Sequence, residues 1–181
     1  MIFILILVMV VVVVVVEQPN KFPHHSNVCV SNAAAGNIIQ ILANLPDFLR
    51  KPMLQSRLKE FFYSMNDEDR RETISMALSA APTIEPNKLA VLFRTWLEVL
   101  SEFDADERAI MFRTYCQQVL ASPHSVEKLD FASLTGTFMS LSEKQQETII
   151  DSLHEVLFAL PNRQAILSLI PEASQRALKL K

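Results

Sequence analysis

The chain has 181 residues, half of them hydrophobic, with 17 basic and 20 acidic side chains and a formal charge of −3. That length suits one domain with an appendage, and there is no block of Lys and Arg of the kind that releases counterions from a nucleic-acid backbone, so nucleic acid is not an expected partner. Two glycines, Gly36 and Gly136, rule out a P-loop or a G-x-G-x-x-G dinucleotide turn, and two cysteines, Cys29 and Cys116, rule out a disulfide framework.

Met1 to Val16 are all apolar and end in seven valines, Val10 to Val16. A spanning helix needs about 20 such residues, so the run is slightly short. It also lacks the basic flank and nearby small-residue cleavage site of a secretory signal. Three readings compete: a membrane anchor, an atypical signal, or upstream sequence translated from a wrongly chosen start. An anchor would leave the rest of the chain in the cytoplasm, because Lys21, Arg50 and Lys51 follow the run and no basic residue precedes it. Without the run the protein reads as soluble and cytoplasmic. Residues 17–36, with Pro19, Pro23 and scattered Ser and Asn, read as a linker. His24, His25 and Cys29 fall inside it without a second ligand pair, so no zinc site is predicted.

Residues 37–181 are predicted to form an all-α domain. A short helix near 38–45 would place Ile38, Ile41, Leu42 and Leu45 on one side. Three segments then begin with a capping residue and acids: Asn66-Asp67-Glu68-Asp69, Asp104-Ala105-Asp106-Glu107 and Ser142-Glu143-Lys144-Gln145. Each pairs a cap with Asp, Glu or Gln three residues on, a capping box or a close relative of one. The caps at 66, 104 and 142 are 38 residues apart. The same spacing aligns Leu58, Trp96 and Leu134, then Phe62, Leu100 and Phe138, which lie on one helical face in each unit. After the caps it aligns Ile74, Phe112 and Ile150, then Ala77, Tyr115 and Leu153.

Pro52, Pro86, Pro123 and Pro161 are read as helix starts, where a missing N–H costs nothing. The result is three helical hairpins in a 38-residue repeat, about 52–82, 86–121 and 123–160, followed by short helices over 161–170 and 171–181. The period lies in the range of α-solenoid repeats, and a compact helical bundle is the alternative.

Candidate chemistry is sparse. Asp104, Asp106 and Glu107 lack the glycine and later glutamate of a calcium loop and read as helix-capping acids, with Asp104 able to pair with Arg108. Trp96 shares its register with two leucines and reads as core. Cys116 and His154 share a register position with Leu78 and read as packing residues. Tyr63 and Met139, with Ser101 between them in register, sit at the edge of the buried stripe and are the candidate partner-binding residues. No catalytic, cofactor or metal site is predicted. The expected function is a non-catalytic protein-interaction or scaffolding module. The alternatives are an enzyme or ligand carrier with a pocket lined by Phe112, Tyr115, Cys116 and His154, and a membrane-associated structural protein.

Overall fold

The computed structural model describes residues 40–180. The apolar run Met1–Val16, the linker 17–36 with His24, His25 and Cys29, and Ile38 lie outside the described residues. A helical turn over 40–44 leads into eight helices: α1 (Asp47–Tyr63), α2 (Asp67–Ala80), α3 (Pro86–Leu100), α4 (Ala105–Ala121), α5 (Phe131–Met139), α6 (Glu143–Ala159), α7 (Arg163–Ser168) and α8 (Glu172–Ala177). No strand occurs among the described residues, and the class is all-α.

The caps form where the sequence placed them. The Asn66 side chain accepts from the backbone N–H groups of Glu68 and Asp69, while Asp104–Glu107 and Ser142–Gln145 are complete capping boxes. Each satisfies N–H groups that the first helical turn leaves without partners. The prolines behave less uniformly. Pro86 opens α3, but Pro52 lies inside α1, which starts at Asp47 after Pro46. The carbonyl that Pro52 leaves unbonded belongs to Phe48, and both residues are exposed, so water can replace the lost bond. Pro123 opens a short 3₁₀ turn, Pro123–Val126, and the first helix of the third hairpin begins only at Phe131, capped by Asp130. Ile41 also departs from expectation: Leu42 and Ala43 are buried beside it while Ile41 itself is exposed.

The helices pack in two rows. α1 packs on α3, α3 on α5 and α5 on α8, forming row one; α2 packs on α4 and α4 on α6, forming row two. One core lies between the rows. Leu58, Trp96 and Leu134 are buried there, as are Phe62, Leu100 and Phe138 from row one. Row two contributes Ile74, Phe112 and Ile150, then Ala77, Tyr115 and Leu153. Phe93 stacks on Trp96 at 6.5 Å, and Phe62 meets Phe103 edge-on at 5.0 Å.

A second device holds successive helices together. The fourth residue of a helix reaches back to the final carbonyls of the helix before it, which have no intrahelical donors. In α1 the Arg50 guanidinium donates to the carbonyls of Leu42 and Leu45. In α2 Arg70 donates to Phe61 and Phe62, at 3.0 and 2.7 Å. In α4 Arg108 donates to Phe103, in α6 Gln146 to Met139 and Leu141, and in α8 Gln175 to Leu167 and Ile170. Arg70, Arg108 and Gln146 are themselves 38 residues apart. Each fixes a tight turn by closing the end of one helix onto the start of the next.

Candidate functional site

The sites named from sequence separate into buried and exposed sets. Phe112, Tyr115 and Cys116 are fully buried in the core, and burial pushes the Cys116 thiol up to about 12, so it stays a neutral thiol at physiological pH. His154 is half-buried; its Nε2 lies 3.1 Å from the Leu178 carbonyl, and its ring meets Phe158 edge-on. That geometry ties the carboxy-terminal turn to α6. The clefts described lie elsewhere. One of about 400 Å³ is lined by Ile84, Leu89, Leu134, Lys128 and Asp130, and one of about 390 Å³ by Arg70, Arg71, Arg113 and Asp67. Neither brings a nucleophile to a base, and no group of three His, Cys, Asp or Glu able to hold a metal occurs among the described residues.

Asp104 and Glu107 act in capping. Arg108 does not form the ion pair with Asp104 that their spacing allowed; its Nε donates to Ser152 of α6 at 2.7 Å and its other arm to the Phe103 carbonyl. The carbonyl and hydroxyl fix both arms of the guanidinium in a partly buried position, which a flexible surface pair could not do. Among the described residues no helix is long and apolar enough to cross a membrane.

Tyr63 and Met139 are both exposed, at 72% and 49%, at the carboxy-terminal ends of α1 and α5. The Tyr63 hydroxyl donates to Glu107, the same carboxylate that completes the α4 capping box, and this bond raises the Tyr63 pKa. The phenol is therefore held as a donor and its ring is fixed in one position above the turn. Fixed aromatic rings lose little entropy on contact, which suits them to binding.

The larger pattern was not read from sequence. Eight large apolar side chains are exposed among the described residues. Phe48, Leu49, Met53 and Tyr63 lie on α1, Val91 on α3 and Met139 on α5, all in row one, and Ile41 stands just before it. Only Phe158 belongs to row two, where the Arg163 guanidinium covers its ring at 4.3 Å. Charge divides the same way. α1, α3 and α5 carry six basic and three acidic residues; α2, α4 and α6 carry five basic and ten acidic. A signal existed in the sequence, since Met53 and Val91 are 38 residues apart and Leu49 and Met53 are four apart, outside the buried stripe.

No protein-family model, no curated protein and no solved structure matches this chain.

Proposed function

We propose that residues 40–180 form a short α-solenoid-like scaffold that binds protein partners through the outer face of row one. The observation that carries this reading is the segregation of exposed apolar side chains: all but one stand on row one or at its entrance, while row two presents charge. Contact surfaces combine apolar and aromatic anchors with a depleted charge density, and an apolar patch of this kind on a folded domain is a usual mark of association. Stacked hairpins supply the extended surface on which such anchors are displayed. Tyr63 and Met139 mark the turn edge of that surface.

The test is site-specific photo-crosslinking in the native cell from Val91 on row one and from Glu147 on row two. Protein adducts should form from Val91 and be absent from Glu147. Adducts from Glu147 alone, or from neither position, would remove the reading. An enzyme pocket around Cys116 draws less support, because the residues that would line it are in the sealed core.

A further inference from the structure

We infer that the free flank of α1 is a docking groove for an amphipathic, acidic helix of a partner protein, a deeper statement that rests on the scaffold reading above. The geometry begins with the row. α3 packs on one side of α1, where Lys51 reaches Glu102 at 2.7 Å and Phe62 meets Phe103. At about 100° per residue, Leu49 and Met53 fall roughly half a turn away from Lys51, on the opposite side of α1. No other helix of the row lies on that side among the described residues.

Leu49 and Met53 are 44% and 40% exposed and stand four residues apart, the spacing of a ridge that receives a neighbouring helix. Ile41, 54% exposed, stands on the helical turn that Arg50 clamps to α1 through the Leu42 and Leu45 carbonyls, so it is fixed relative to that flank. An open groove beside it is lined by Gln40, Ile41, Asn44 and Leu45. The site therefore has the shape of the next position in the row, and a helix is the element that fills such a position.

Charge selects among helices. α1 carries Arg50, Lys51, Arg57 and Lys59 against Asp47 and Glu60. Arg50, Lys51 and Arg57 already have carboxylate partners in Asp47, Glu102 and Glu60, whereas Lys59 makes no ion pair among the described residues. An incoming helix with apolar residues at i, i+3 or i+4 and i+7, flanked by Asp or Glu, meets both the ridge and the surplus positive charge. A second copy of this chain offers acidic α6, but the only large apolar side chain exposed there is Phe158, already covered by Arg163, so it supplies no anchors for Leu49 and Met53.

The experiment is selection of a phage-displayed library of helical peptides on the full chain, followed by titration of one enriched synthetic peptide. Enriched sequences should share the apolar spacing and carry acidic flanks. Leu49→Asp and Met53→Asp should each weaken the peptide by about tenfold or more, the loss of one apolar anchor. Lys59→Glu should weaken it less, and a Glu→Lys exchange in the peptide should restore binding to that variant. All three side chains are exposed, so unchanged helicity by circular dichroism is the expected control. Enriched peptides that ignore these variants but compete at Val91 would overturn the α1 groove and leave the scaffold reading standing. A dimer of the full chain that Met53→Asp dissociates would overturn it in favour of a second copy. Failure to enrich any peptide, together with no adduct from Val91, would overturn both readings.

Discussion

Rows one and two share a core and differ on the outside. α3, in the middle of row one, has a helix on each side and buries Leu89, Leu92, Phe93, Trp96, Leu97, Val99 and Leu100. α1 is of similar length but has a row neighbour on one side only, and it leaves Leu49 and Met53 in solvent. Row two also ends at α2, yet α2 begins with Asp67, Glu68 and Asp69 and exposes no large apolar side chain. An end of a stack does not by itself leave apolar surface uncovered, because a polar outer face is enough to solubilise it. The contrast between α1 and α2 therefore locates function on the side where solubility has been relinquished.

If both rows face one core, truncations on either side should cost alike. Trp96→Ala in row one and Phe112→Ala in row two remove fully buried aromatic rings. Each is expected to lower unfolding stability by about 3–5 kcal/mol, the usual range for emptying an aromatic core site. Urea denaturation monitored by circular dichroism measures both. A loss below about 1 kcal/mol for either one would mean that its row does not share the core.

The clamps come next in size. Arg50 is 4% exposed, and replacing it by Ala leaves the Leu42 and Leu45 carbonyls without their charged donor. A loss of about 2–3 kcal/mol is expected, the upper range for a hydrogen bond to a charged group. Arg50→Lys should recover little, since an ammonium cannot reproduce the guanidinium fork. Gln146→Ala, in row two, removes neutral bonds from partly exposed carbonyls and should cost about 1 kcal/mol. Equal losses at the two positions would show that the clamp works through helix propensity and not through the carbonyls it holds.

These clamps also mark where the sequence was legible. Helix starts at 67, 105 and 143 follow from local capping chemistry, and the buried stripes follow from 3.6-residue periodicity, so both could be read directly. Arg70, Arg108 and Gln146 share the same spacing as the caps, but Arg and Gln read as surface residues until the preceding carbonyls are seen beside them. Pro52 was misplaced because a proline on an exposed helical face resembles a helix start. Arg108 chose Ser152 over Asp104, a choice made by a helix 44 residues away. Exposure of Leu49, Met53 and Val91 depended on which flanks have neighbours, which is tertiary information. Of the partner-facing pattern, only Tyr63 and Met139 were visible from register alone.

Caps should show smaller effects and the same size in both places. Asp104→Ala and Ser142→Ala each break a complete capping box at the head of a row-two helix. About 1 kcal/mol is expected from each by urea denaturation. Asp104→Ala carries one further consequence: Glu107 loses a capping partner while still accepting from Tyr63, so the ring at the turn edge should become more mobile. A larger ring-flip rate by aromatic NMR relaxation in Asp104→Ala, with none in Ser142→Ala, would confirm that capping in row two fixes an anchor in row one.

The polar links between neighbouring helices give the smallest and most selective contrast. In row one Lys51 meets Glu102, and its hydrogen bond to that carboxylate raises the lysine pKa despite an opposing effect of burial. A lysine whose folded pKa is raised contributes stability that is complete below its ordinary value of 10.5 and disappears as pH climbs through the folded value. The side chains are 46% and 43% exposed, so the link is worth only about 0.3 kcal/mol after screening by solvent. In row two Arg108 bonds to Ser152, and although burial lowers its pKa it remains charged throughout the same range. Lys51→Met should therefore erase a shallow loss of stability above pH 10 and change little below pH 9. Arg108→Met should cost the same at both pH values. A pH-dependent cost at Arg108, or none at Lys51, would show that the two rows are not held by the different polar links assigned to them.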